Sequence, residues 1–301
     1  FSFDGKIRAK RGFVDSSVPN AMGKVSGYSS GGVPNRNTTD KFPFAVDTNA
    51  TDVGNLTQSR QQLAGQSSTV SGYVSGGGTP GGESNVIDKF PFAVDTDSSD
   101  VGDLTVARNN NCGQSSDTSG YSSGGYNPIS NVIDKFPFAS DTNATDVGNL
   151  TQARRELAGQ SSRVSGYSSG GFAPPQVNTI DKFSFAVDGN ASDVGDLSQS
   201  RTEVSGQSSK VNGYTVGGFV PAATDTIDKF PFASDTNASD VGNLTSTRRA
   251  SGGQSSSIFG YSSGGIGGNT VIEKYPFATD TNAKDVGDLT QGRYGIAGNQ
   301  N

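Results

Sequence analysis

Histidine and tryptophan are absent from this 301-residue chain, and cysteine and methionine occur once each. Without histidine the commonest general base and metal ligand is missing, and no Ser-His-Asp set can be assembled. The single cysteine, Cys112, rules out an intrachain disulfide and leaves the redox compartment open. Hydrophobic residues make up only 31% of the chain, which argues against large helices and one deep core. No apolar run approaches the ~18–20 residues needed to span a bilayer, so membrane insertion is not expected. Net charge is −6 and no Lys/Arg stripe appears, so a nucleic-acid partner is not expected either. The N-terminus, Phe1-Ser2-Phe3-Asp4, is neither a signal peptide nor an initiator Met, so the chain reads as processed or as a fragment.

What the chain has instead is glycine, 42 residues of it, together with much Ser, Thr, Asn and Asp. Such a composition suggests low complexity until its spacing is seen. An acidic residue opens a hydrophobic Asp-Lys-Phe-Pro-Phe-like segment at Asp40, Asp88, Asp134, Asp181, Asp228 and Glu273. An arginine follows each by 20 residues: Arg60, Arg108, Arg154, Arg201, Arg248 and Arg293. After each of the first five arginines a tyrosine comes 13 residues later, within Gly-Tyr-x-x-Gly-Gly, and Tyr28 supplies a further copy near the N-terminus. Only one stretch changes length. From the second Gly of the pair to the next acidic anchor the spacing is 8, 11, 9, 10, 10 and 8 residues. A locked segment is what packing against neighbours demands, whereas a variable one is a surface loop.

Each unit of about 47 residues reads as four short strands. Strand A follows the Arg, as in Leu157-Ala158-Gly159-Gln160-Ser161, and its glycines suit the crowded inner end of a blade. Strand B carries Gly-Tyr and ends at the Gly pair. Strand C is the most apolar, as in Val132 to Phe138; alternation places Ile133, Lys135 and Pro137 on one face and Asp134, Phe136 and Phe138 on the other. Its proline suggests an edge or a bulge, because proline cannot donate to a central ladder. Strand D is Asp146 to Thr151 and its equivalents. Helical periodicity is absent.

Four strands per unit, repeated six times, predict an all-β, six-bladed β-propeller of four-stranded antiparallel blades. Residues 294–301 read as a strand A with nothing after it, so the ring is expected to close by this C-terminal strand joining the first blade. Residues 1–23 are then an N-terminal extension or tether, and 24–301 the propeller. The alternative is seven blades, with Phe1-Ser2-Phe3 as a degenerate strand C and Arg11 as a seventh Arg.

The variable B–C loops are the leading site candidates, through Val33, Arg36, Tyr126, Asn127, Phe172 and Phe219. Aromatics stiffened by proline suit recognition, including stacking on sugar rings; alternatively each plugs the gap between adjacent blades. The Asp-x-Asn-x-x-Asp stretches Asp47, Asn49, Asp52 and Asp141, Asn143, Asp146 place oxygen ligands as a calcium loop does, while the plainer reading is a self-capped turn. No other cofactor is indicated. The six arginines read as structural, each pairing with an acid of its own or the adjacent blade. Sequons at Asn49, Asn143 and Asn237 recur inside units expected to be packed and read as incidental. Catalysis has little support: the repeated carboxylates are equivalent, and the unique residues Cys112, Glu156, Glu203 and Met22 form no recognisable set.

The order Gly-Tyr-x-x-Gly-Gly, hydrophobic strand, polar turn, Leu and Arg resembles the kelch repeat. Phe42, Phe90, Phe136, Phe183, Phe230 and Tyr275 match its downstream aromatic, and Val53, Val101, Val147, Val194, Val241 and Val286 or their neighbours stand where kelch repeats have Trp. The wording Asp-Lys-Phe-Pro-Phe-Ala…Asp-Thr-Asn-Ala-Thr-Asp-Val-Gly-Asn-Leu-Thr…Arg…Gly-Gln-Ser-Ser is also similar to repeat arrays in virion proteins of marine bacteriophages, notably cyanophages, over about residues 24–301. That resemblance implies an extracellular, virion-associated module and no chemistry. The expected function is a non-catalytic binding or structural module, in a tail or fibre, assembled into a larger particle and contacting a host-surface glycan or another virion protein. It predicts near-equivalent pockets around the ring. A carbohydrate-active enzyme on the same scaffold predicts one asymmetric acidic pocket in the central channel. A cellular kelch-type scaffold predicts a basic or aromatic groove on the B–C loop face.

Overall fold

The structure, a computed structural model, describes residues 23–266 and 270–301. Six four-stranded antiparallel sheets are arranged as blades around a central axis. In the fourth blade, strand A is Ala158–Ser161, B is Ser165–Ser169, C is Thr179–Ser184 and D is Ser192–Asp196. Blade 1 takes its strand A from the C-terminus: Ala297–Gln300 pairs antiparallel with Ser26–Ser30. Six blades therefore close without an unpaired inner strand among the described residues. The seventh-blade alternative draws on residues 1–22, which lie outside the described residues, as does the predicted tether.

Six inner strands crowd the axis, and glycine is what lets them approach. A Cβ on Gly159 would lie 2.2 Å from the carbonyl oxygen of Gly113, and one on Gly206 2.1 Å from that of Gly159. Gly65, Gly113, Gly253 and Gly298 repeat the contact, each against the blade before it. One step on, the backbone N–H of Ser67 donates to Ser115 Oγ, Ser115 to Ser161, Ser161 to Ser208 and Ser208 to Ser255, at 2.9–3.0 Å. Gln300 completes the circle, its N–H donating to Ser67 Oγ and its Oε1 accepting from Ser255 N–H. Between these two layers the buried Gln160 Nε2 donates to the carbonyl of Tyr214 in the next blade, and Gln66, Gln114, Gln207, Gln254 and Asn299 repeat this.

Apolar burial occurs at the seams and not inside any one blade. Tyr73 of one blade packs on Phe136 and stacks on Phe138 of the next, with centroids 5.5 and 4.8 Å apart. The equivalent tyrosine–phenylalanine cluster fills every seam. Alternation along strand C explains the geometry: Ile133 joins the cluster on one side of its blade and Phe136 the cluster on the other. Phe136 lies across Gly120 of its own strand B, where a Cβ would come within 2.3 Å of the ring.

The arginines lock the same seams. Arg154, at the end of one blade, reaches Asp181 in strand C of the next at 3.1 Å, both side chains fully buried. Arg60–Asp88, Arg108–Asp134, Arg201–Asp228 and Arg293–Asp40 repeat this at 2.6–3.0 Å, and Arg248 pairs with Glu273. The carboxylate also accepts from Thr151, by N–H and Oγ1, so its lone pairs are well used. Burial lowers the pKa of Arg60, Arg108, Arg154, Arg201 and Arg293 against the opposing pull of the partner acid. The bulge expected at the strand C proline lies elsewhere. The C–D ladder shifts register between Ile133 and Asp134, while Pro137 ends the strand opposite Ser119, with no central ladder bond left to lose.

A buried pair broken on one side leaves an unpaired charge, which costs about 3–5 kcal/mol. Arg154→Met should therefore lower the urea-unfolding free energy by about that amount, and Arg154→Met with Asp181→Leu should recover much of it; equal losses in both variants would argue against this account. Tyr28 and Tyr261 are pushed up to about 12 by burial, aided by Asp95 and Asp47 respectively. The unfolded chain gives up these protons near pH ~10, so their contribution is intact below that pH and falls away as pH rises from about 10 to 12. Urea midpoints measured across that window should drop, and a flat profile would contradict the assignment.

Candidate functional site

A four-strand meander sends its B–C loops and D–A connections to one end and its A–B turns and C–D loops to the other. The two faces differ in kind. Of the ten exposed large hydrophobic residues among the described residues, eight lie on the A–B and C–D face: Val25, Val70, Val164, Val211 and Ile258 at the A–B turns, Val46, Val94 and Val187 in the C–D loops. That face is regular. The opposite face, with its B–C loops, is where the copies diverge.

On the divergent face each B–C loop opens with a residue bridged to the one following the buried Arg: Val33 to Tyr294, Tyr126 to Asn109, Phe172 to Arg155, Phe219 to Thr202. Arg155 lies between two aromatics of adjacent blades, 4.6 Å from the Tyr126 centroid and 5.1 Å from that of Phe172. Arg249 covers Phe219 at 4.6 Å. Both readings of the aromatics thus have geometric content: Phe172 and Phe219 are half-buried under a guanidinium, while Tyr126 keeps 39% of its surface exposed. Asn127 is exposed and its Nδ2 donates to Glu83 Oε2 of the neighbouring loop. Val33 is half-buried, held by its N–H to the Tyr294 carbonyl. Arg36 is not a loop residue. It is the first residue of strand C in blade 1, paired with Arg60, because that loop is among the shortest.

The calcium candidates are otherwise engaged. Asp47 pairs with Lys274 and Asp141 with Lys89, each across a seam. Asn49 and Asn143 accept the backbone N–H of Asp288 and Asp103 in the preceding blade, and Asp52 and Asp146 cap Gly54 and Gly148 two residues on. Among the described residues no three acidic or thiol groups gather around a point. Asn49, Asn143 and Asn237 are exposed at turn tips, not inside packed units as expected, since the turns project beyond the blade.

Two cavities lie on the axis. The larger, of about 230 Å³, opens on the loop face; a smaller one of about 50 Å³, lined by the Gly, Gln and Ser rings, lies beyond the glycine constriction. The larger mouth is ringed by the second residue after each buried Arg: Gln62, Asn110, Glu156, Glu203, Ala250 and Gly295. Five residue types occupy these six positions, yet all six hold a left-handed backbone, with φ of 53–61°. Glu156 and Glu203 come from adjacent blades. Glu156 accepts from Thr202 Oγ1 at 2.5 Å and lies 3.5 Å from Arg155; Glu203 accepts from Arg249 at 2.9 Å. Burial raises the Glu203 pKa, Arg249 opposes the rise, and Glu156 adds to it. Cys112 lines the same cavity, its thiol pushed up by burial, whereas Met22 lies outside the described residues.

The ring thus brings Glu156, Glu203 and Cys112, read separately in the sequence, to one cavity. The signal was present as variation at fixed spacing, two residues past each Arg, and not as variation in loop length. The larger of the two axial cavities is asymmetric, since its mouth carries different residues from different blades.

No protein-family model matches the sequence, and no curated protein is significantly similar to it. The kelch-like and phage-like wording therefore rests on its motifs alone, and the architecture is consistent with a binding or scaffold module. Since lysines and backbone amides already occupy the Asp/Asn turns, adding calcium or EDTA should leave the melting temperature unchanged. A calcium-dependent rise of several degrees would reinstate a metal site there.

Proposed function

We propose that this propeller is a non-catalytic recognition module, carried on an extracellular particle such as a virion, whose loop face contacts a host-surface glycan. The observation that carries this reading is the confinement of variation. Loop length and side-chain identity vary together on the B–C and D–A face, while seams and inner rings repeat and the opposite face, though its A–B turn residue varies, keeps one loop length throughout. Packing permits change on a surface loop, and binding is one use of that freedom. Exposed Tyr126 and the stacked Arg155 add an aromatic, hydrogen-bonding surface of the kind sugars favour. The regular apolar residues of the other face suit a seat against another protein of the particle.

A second reading has one observation in its favour. Glu203, its pKa raised by burial beside Glu156, has the environment of an acid–base carboxyl pair in a carbohydrate-active enzyme. Against it, Thr202, Arg155 and Arg249 already hold both carboxylates as acceptors.

A glycan array separates these readings. Selective, reversible binding with no release of reducing sugar is the expected result. A blank array would oppose glycan recognition and turn the search to protein partners, and turnover abolished by Glu203→Gln would establish the enzyme.

A further inference from the structure

We propose that the axial cavity on the loop face seats a single neutral sugar residue, the exposed end of a glycan, entering along the propeller axis against the Glu156–Glu203 seam. This rests on the reading of the loop face as a glycan-binding surface and specifies where and how that surface binds.

Four observations converge on it. At about 230 Å³ the cavity falls below the ~300–1,000 Å³ of drug-sized sites, which suits one sugar ring and not a longer chain. Its construction is layered: a polar mouth, then apolar walls from Leu63, Leu157, Val204 and Ile296, then the glycine constriction. A pyranose has the same duality, with hydroxyls at its edge and C–H groups on its faces.

The glutamates at the mouth are balanced. Glu156 and Glu203 line the cavity, and Arg155 and Arg249, outside its lining, stand beside them. Unbalanced carboxylates would select a cation, whereas these paired ones offer fixed acceptors without demanding charge. These groups are also held in advance, Arg155 between two aromatic rings and Glu156 by the Thr202 hydroxyl. Preorganisation of this kind reduces the ordering cost of binding.

The backbone ring at the mouth opens at the same seam. Gln62 donates its N–H to Gly295 O, Asn110 to Gln62 O, Glu156 to Asn110 O, Ala250 to Glu203 O and Gly295 to Ala250 O, at 2.6–2.9 Å. The sixth link, Glu203 N–H to Glu156 O, is not formed. An amide donor and a carbonyl acceptor are thus left between the two glutamates, where vicinal hydroxyls can use both. Left-handed non-glycine residues cluster at functional sites, and five of these six ring positions are not glycine.

The test uses saturation-transfer NMR on the full chain with the methyl glycosides of glucose, galactose, mannose and N-acetylglucosamine, alongside the strongest neutral array ligand. At least one glycoside should take up saturation, and the array ligand should take it up most strongly at its terminal residue. Glu203→Ala, and Ala250→Trp, which obstructs the mouth while leaving both glutamate side chains in place, should each weaken binding at least about tenfold at unchanged melting temperature. If both variants bind within twofold of the parent, or saturation maps to internal residues, the axial seat is wrong although the loop face still binds glycan. If the array itself is blank, the broader reading fails with it.

Discussion

Six backbones meet around the axis of this molecule at a distance that only a hydrogen atom on Cα permits. Each inner glycine rests on the carbonyl of the glycine in the preceding blade, and the contact runs full circle through Gly298 of the C-terminal strand. Any side chain there would push two blades apart, and a closed ring has no free end through which to relax the displacement. The flanking residues follow from this constraint. Once the strands are that close, Gln160 can span to the next blade's carbonyl and Ser161 N–H can reach the next serine hydroxyl. The Gly-Gln-Ser triplet is therefore the sequence form of one structural requirement met in three consecutive layers.

Further from the axis the blades diverge, and bulk must replace contact. Tyr167 meets Phe230 and Phe232 across one seam, and Arg154 meets Asp181 across another. A buried ion pair is a weak source of net stability, but a slipped register leaves its charge unpaired. In a repeat protein that is valuable: near-identical blades have many wrong registers in which to pair, and a slipped seam satisfies the aromatics more readily than it satisfies the arginine. The apolar fraction is low because no blade has its own core; each shares one with its neighbours.

This explains which parts of the fold were legible in the sequence. Period, blade count, strand order and closure could be read because each seam imposes the same residues at the same spacing, and an unpaired C-terminal strand A had one place to go. The partner of each arginine could not be fixed, since an own-blade and a next-blade acid both recur at regular distances from it; only the ring shows that Arg154 looks forward to Asp181. The Asp/Asn turns left two readings open for a related reason. Alternate oxygens suggest a ligand loop, but Lys89 and the Asp103 amide that engage Asp141 and Asn143 belong to the blade before. Glu156 and Glu203 are 47 positions apart in the chain, and nothing local says that a single blade step sets them at one cavity mouth.

The same constraint that makes the scaffold repetitive determines where it can stop being so. A position that faces a seam must answer to its neighbour, so Gly159, Gln160, Tyr167, Arg154 and Asp181 and their equivalents are held nearly fixed. The residue two past each arginine has more freedom. Its backbone is pinned in the left-handed region by its place in the D–A connection, but its side chain borders the channel mouth and fills no seam cluster. Gln, Asn, Glu, Ala and Gly are all compatible with that backbone, and all five occur. Freedom of side chain on a rigid backbone is the condition under which a binding surface can be altered without altering the fold. In this molecule it is met most fully at the axial mouth, a site whose geometry the inner rings hold constant while its chemistry is set by six independent choices.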